Sequence, residues 1–211
     1  MYIAPVDAGL EEEEWRSFVR AQGFGHLAAS GLGRDVPVVV PTQFVLDGTA
    51  VLLHLVGRNP LLGALAEQPR ALLSVAGDWA FIPSAWKAIG DEDPALGIPT
   101  TYYAAVQLLG TATVVEEPAA VADILRVQLR AEQPGMDVAD PLDAHLQRLR
   151  AIRGVRLAIE EVRSKFKYGG NVDANHRLAV VDRLRQRGGP GDAAAAAHTL
   201  RRLHAAPGKA Q

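Results

Sequence analysis

Three short stretches of this sequence carry residue types that could act on a ligand. Gly57-Arg58-Asn59-Pro60 joins a forked cation to the start of a helix, since Asn is a favoured cap and Pro suits the first helical position. Helix N-termini present free backbone N–H groups, so this stretch suits an oxyanion such as phosphate. Arg163, Lys165 and Lys167 alternate along a strand, which would point all three to one face and toward the same anion. Ser84-Ala85-Trp86-Lys87 matches the Ser-x-x-Lys pattern in which a lysine activates a serine, but its companion motifs are missing and it does not open a helix. No catalytic side chain is therefore assigned.

The 6 histidines show neither His-x-x-x-His spacing nor a carboxylate-rich neighbourhood, and there are 0 cysteines, so no metal site is expected. His54 is the isolated polar residue of the apolar run Val51 to Val56 and reads as a satisfied histidine of a core or barrel mouth. No Walker motif or Gly-x-Gly-x-x-Gly opens a helix.

The elements that must position these residues follow from periodicity. Leu10, Trp15, Phe18 and Val19 share one face of a short helix, with Glu11 to Glu14 at its positive end. Gly23 to Ser30, Val36 to Leu46 and Thr49 to Val56 are β-prone runs, and Asp47-Gly48 predicts a type I′ hairpin. Asn59-Pro60 starts a helix running to about Gln68. Ala71 to Ala76 and Trp79 to Ile82 read as separate strands, Pro83 to Pro99 as a long loop, and Thr101 to Val115 as a strand with a bulge or bend at Gly110. Helices opening at Pro118 and at Asp140-Pro141 form an insert at about 118–152. The apolar phase of the next strand slips near Glu160-Glu161, as a β-bulge would allow. Asp173 caps a helix to about Arg187, and residues 188–211 read as a glycine-rich linker with an alanine-rich detached helix or frayed tail. The predicted class is α+β, an antiparallel split β-barrel of Greek-key type with peripheral helices, its domain spanning 1–187.

With 211 residues, 48% hydrophobic and 22% charged, the chain is of ordinary globular composition, and one domain is expected. No apolar run has the length of a spanning helix and no export signal opens the sequence, so a cytoplasmic protein with no membrane association is expected. The net charge of −2 is unevenly spread: residues 163–211 hold ten basic and three acidic residues. No recognition-helix pattern accompanies the basic end, so direct DNA binding is not expected.

In sequence order, Met1-Tyr2-Ile3 with Pro5, His54-Leu55 through Arg58-Asn59-Pro60, Phe81-Ile82-Pro83-Ser84 with Trp86, Ile98-Pro99-Thr100 with Tyr103 and Val106, Ile152 with Gly154, and Lys165-Phe166-Lys167 with Asn171 resemble PaiB-like proteins. That family is described as FMN-binding negative transcriptional regulators, with a split-barrel fold related to pyridoxamine 5′-phosphate oxidase. The chain departs from its pattern at Val40-Pro41-Thr42-Gln43, at Thr101-Tyr102 and at Tyr168-Gly169-Gly170. The resemblance implies a homodimer that binds FMN. It places Arg58, Asn59 and Lys165 or Lys167 at the phosphate, Thr42, His54, Thr100 and Thr101 near the ring or ribitol, and Ser84, Tyr103 and Asn171 among the cofactor contacts. An indirectly acting flavin-binding regulator is the function implied. A flavin-dependent oxidoreductase acting on a small molecule, and a cofactor-free binding protein, are the alternatives.

Overall fold

The computed structural model describes residues 1–88 and 92–205. The helices are α1 (Glu12–Gln22), α2 (Pro60–Glu67), α3 (Pro118–Glu132), α4 (Pro141–Leu149), α5 (Ala174–Arg187) and α6 (Asp192–His204). The strands are β1 (Phe24–Ala29), β2 (Val38–Gln43), β3 (Val45–Asp47), β4 (Ala50–Val56), β5 (Arg70–Ile82), β6 (Thr100–Val115) and β7 (Ile152–Lys167). They form one seven-stranded sheet in the order β2-β1-β5-β6-β7-β4-β3. Antiparallel registers place Leu27 opposite Val40 and Leu73, and Val51 opposite Leu157. The chain divides into two compact units: unit 1 holds Met1–Trp15, Ala76–Ala105 and the chain from Ser164 onward, and unit 2 holds Arg16–Val75 and Val106–Arg163.

In unit 2, helix α2 starts as its sequence dictates, with Asn59 Oδ1 accepting the Leu61 N–H at 3.0 Å and Pro60 in the first turn. Its Leu61, Ala64 and Leu65 are buried. Helices α3 and α4 are capped by Glu117 and Asp140, and Val121, Ala122 and Leu149 form their shared core with Leu125, Leu142 and Ile152 around it. The run from Val36 to Leu46 breaks at Phe44, whose buried ring and N–H bond to the Gly23 carbonyl (3.0 Å) separate β2 from β3.

One sequence expectation for this unit is corrected. The hairpin turn is Gly48-Thr49, because Asp47 pairs with Ala50 inside the ladder. Only Gly48 of that pair has a positive φ, so a type I′ turn, which needs two, does not form. At Gly110 a Cβ would lie 1.7 Å from the Ala158 carbonyl oxygen, so close backbone approach requires glycine there.

One 13-residue strand, β5, replaces the two expected; its residues Arg70–Val75 belong to unit 2 and Ala76–Ile82 to unit 1, where Asp78 takes φ 51°. Aspartate tolerates that left-handed backbone better than most residues, so the strand passes through what reads as a break. Helix α5 is capped by Asp173 Oδ1, which accepts the His176 N–H at 2.9 Å, and ends on Gly188 at φ 59°. The expected detached helix or frayed tail is instead α6, packed through buried Ala195, Ala196, His198, Thr199 and Arg202. His198 stacks on Tyr168 at 4.7 Å and bonds Asp78 Oδ2 at 2.8 Å, while the Tyr168 hydroxyl donates to the Asp78 carbonyl at 2.9 Å. Of the expected loop at Pro83 to Pro99, Ser84–Trp86 and Pro94–Leu96 form 3₁₀ turns and residues 89–91 lie outside the described residues, as does the tail beyond Ala205.

Candidate functional site

Seven of the residues singled out above belong to unit 1. Thr100 stands at the start of β6 and Lys167 at the end of β7, and Lys167 Nζ donates to Thr100 Oγ1 at 2.7 Å. Among the described residues, Lys167 meets no carboxylate within ion-pair distance, so a neutral hydroxyl positions it and its charge is not cancelled by a direct ion pair. Tyr103 lies beside Lys165, whose ammonium sits 5.6 Å from the ring centre. Thr101 is half-buried on β6, Ser84 opens the first 3₁₀ turn, and Asn171 is exposed in the loop before α5.

The expected cationic face of β7 does not form as three equivalent free charges. Lys165 is only 9% exposed, donates to the Tyr2 carbonyl at 3.1 Å and lies 4.0 Å from Asp7. Arg163, which belongs to unit 2, donates to Glu161 at 2.6 Å. Alternation along the strand was legible, but the partners of Lys165 and Lys167 were not, because Tyr2 and Thr100 are remote in sequence; Arg163 is taken by Glu161, two positions earlier on the same strand.

The other four residues belong to unit 2. His54 is exposed on β4 and its Nδ1 lies 2.8 Å from Gln128 Oε1 on α3, so it is satisfied by a side chain rather than by the core. Arg58 is exposed in the turn before α2, and Asn59 caps that helix. Thr42 is buried on β2 and donates to the Gln43 carbonyl at 3.0 Å. A cavity of about 310 Å³ in this unit, lined by Arg126, Arg130, Met136 and Asp140, contains none of these residues. Its Arg126 is held by Asp140 at 2.6 Å and Asp123 at 2.5 Å, a pairing that raises its pKa and, through the Arg126 hydrogen bond, draws the Asp140 carboxyl down to about 2. That cation is neutralised in place and offers little to an anion.

Sequence reasoning missed a further group in unit 1. Lys87 follows the Ser84–Trp86 turn; burial, and then the Lys167 charge, push its ammonium below the ordinary lysine range. His176, in the first turn of α5, is lowered by burial and by the charge of Lys87, with Asp173 acting in the opposite direction. The Nε2 of His176, the Nε of Arg177 and the hydroxyl of Tyr102 are buried with no hydrogen-bond partner among the described residues. Burial raises the Tyr102 pKa to about 12. The available signal was the lysine of Ser84-Ala85-Trp86-Lys87, which sequence reading set aside together with the serine chemistry.

A family model described as "Putative FMN-binding domain" matches residues 1–161. The chain belongs to this FMN-binding family. FMN is the cofactor that the family assigns, and α5 and α6 lie beyond the matched residues. Solved structures agree in fold. A flavocytochrome from Azotobacter vinelandii is 22% identical with a TM-score of 0.61, over 82% of this chain and 74% of that one. A FAD and heme binding protein from Mycobacterium smegmatis is 20% identical with a TM-score of 0.61, over 82% and 79%. A conserved hypothetical protein from Mycobacterium tuberculosis is 19% identical with a TM-score of 0.58, over 82% and 94%. The expected split-barrel flavin-binding fold is thus the fold of this FMN-binding family member. Comparison with curated proteins finds no match. No helix among the described residues is long and apolar enough to cross a membrane.

The residues present fit a phosphorylated flavin in one testable respect. The unpartnered buried atoms Arg177 Nε and Tyr102 hydroxyl can donate, His176 Nε2 can donate or accept, and the nearby charge is positive, so the chemistry that would complete them is an acceptor-rich anion.

Proposed function

We infer that this protein is a flavin-binding regulator of the PaiB type which acts indirectly, through the FMN it holds, rather than by reading DNA. The observation that carries the reading is Lys167, fixed by Thr100 at 2.7 Å with no carboxylate on it among the described residues. A lysine so placed supplies a point charge to a phosphate without first breaking an ion pair. Arg58 and the α2 N-terminus are the corresponding group in unit 2. FMN supplies redox chemistry when bound; the chain's own residues bind and orient it.

Indirect action is supported by what holds the basic C-terminal residues. Arg187 is committed to Asp192 at 2.5 Å and to the Phe81 carbonyl at 2.9 Å, Arg183 to the Ala85 carbonyl at 3.2 Å, and Arg202 to buried Glu14 at 2.9 Å. The helix α6 that follows the Gly-rich turn exposes Ala193 and Ala197 in its first two turns, side chains that cannot form the bidentate hydrogen bonds by which base edges are read. The purified protein is expected to show flavin absorbance or to acquire it on titration with FMN. In gel shifts at ~150 mM salt, where the Debye length is about 8 Å, it should show no preference for one duplex over a scrambled competitor. Failure to bind flavin would refute the flavin reading, and tight sequence-selective DNA binding would refute the indirect one.

A further inference from the structure

We propose that Lys87, His176 and Lys167 form a phosphate-binding site in unit 1, with Arg177 and Tyr102 as adjoining donors. The proposal deepens the flavin reading in one of its two outcomes and stands apart from it in the other.

The argument begins with an imbalance of donors and acceptors. Lysine and arginine offer only donors, and a tyrosine hydroxyl that ionises only at about pH 12 keeps its proton at neutral pH. Tyr102 is 1% exposed, yet among the described residues its hydroxyl has no partner, and neither does Arg177 Nε or His176 Nε2. Buried polar groups are nearly always satisfied, so these orphans within one unit indicate a missing acceptor. Two lysines that sense each other's charge, half-buried Lys87 and Lys167, add a positive field that an acceptor with negative charge would relieve. Asp173 is the carboxylate that acts on His176, but its Oδ1 already accepts the α5 N–H of His176 itself, and a backbone hydrogen bond to Trp86 engages the ring without completing Nε2.

The backbone holds this group together. Arg183, two turns further along α5, donates to the Ala85 carbonyl at 3.2 Å, tying the helix to the turn that carries Lys87. Gly169, at φ 75°, leaves room where a Cβ would lie 2.3 Å from the Tyr102 hydroxyl and 3.3 Å from Arg177 Cγ. A dianionic phosphate with three free oxygens suits several separate donors better than a carboxylate with two. The phosphate could belong to FMN or to a second phosphorylated ligand.

The test uses the full chain, with Lys87→Met to remove the charge and Lys87→Arg to restore it. Affinities for FMN and for riboflavin, which lacks the phosphate, are read by flavin fluorescence, and stabilisation by inorganic phosphate is read by thermal unfolding. If the FMN phosphate occupies the site, Lys87→Met weakens FMN roughly tenfold or more, leaves riboflavin unchanged, and Lys87→Arg recovers most of the loss. If a second ligand occupies it, FMN affinity is unchanged, while stabilisation by phosphate is lost in Lys87→Met and kept in Lys87→Arg. If neither FMN affinity nor stabilisation by phosphate responds to Lys87→Met, or if the wild-type chain responds to neither ligand, the site is refuted. Should Lys87→Met fail to fold, His176→Gln carries the same comparison. A wild-type chain that binds no flavin yet is stabilised by phosphate through Lys87 would overturn the flavin reading and keep this one.

Discussion

Replacing Arg202 by methionine should be among the most damaging single changes in this chain. The Arg202 and Glu14 side chains are 7% and 2% exposed, and Arg202 Nη1 lies 2.9 Å from both carboxylate oxygens of Glu14. Its Nη2 donates to the carbonyls of Ala8 at 2.8 Å and Val6 at 3.3 Å, and the guanidinium lies 5.8 Å from the centre of the Phe166 ring. Methionine fills much of the same volume but, among the described residues, leaves the buried Glu14 carboxylate only the Leu10 N–H, at 2.8 Å, as a hydrogen-bond donor. Breaking a buried pair from one side costs about 3–5 kcal/mol. At about 2–4 °C per kcal/mol for a chain of this size, the midpoint should fall by roughly 6–20 °C. Urea unfolding and calorimetry read both quantities. Adding Glu14→Gln to Arg202→Met should recover part of the loss, because the uncompensated charge is gone. A loss under about 1 kcal/mol for the single variant would mean that α6 does not close over Glu14 in solution, and would restore the detached-tail expectation.

Three further predictions concern the ligand, the assembly and pH. Arg58→Ala should weaken FMN binding more than Lys165→Ala, since an exposed fork can take two phosphate oxygens whereas Lys165 is already engaged by the Tyr2 carbonyl; equal affinities for wild type and the Arg58 variant would place the phosphate elsewhere. Light scattering at micromolar concentration should report a homodimer, as the family resemblance implies and as the 61% exposed Trp79 and 50% exposed Phe81 of β5 would allow; a 22.5 kDa species would refute it. Burial raises the pKa of Tyr102 from 10.0 to about 12, so the folded state keeps a proton that the unfolded chain gives up. Stability from this group is complete below pH 10 and declines as the pH rises toward 12; ultraviolet titration showing Tyr102 fully ionised at pH 11, by comparison with Tyr102→Phe, would contradict its burial.

Local chemistry was readable from the sequence wherever it acts between near neighbours. Asn59-Pro60, Asp140-Pro141 and Asp173 each announce a helix, because a cap is a bond between residues two or three positions apart. The motifs that resemble a flavin-binding family were likewise legible, and an FMN-binding family model matches residues 1–161, which hold all of them but the last. Partners distant in sequence were not. The alternation of Arg163, Lys165 and Lys167 suggested three equal charges, yet Lys165 meets Tyr2 across 163 positions and Lys167 meets Thr100 across 67. Likewise, an alanine-rich stretch after Gly188-Gly189-Pro190-Gly191 carries too little apolar surface of its own to announce a core helix. Packing decides its fate: Arg202 pairs with Glu14 across 188 positions and His198 with Asp78 across 120, contacts that exist only once folding has brought these distant segments together. Local sequence determined the capped helices and the flavin-binding family of this protein; the tertiary structure decided the continuous β5, the packing of α6, and which cations are neutralised and which remain available to a ligand, because burial and long-range pairing set the charge state of a site and neither is a local property.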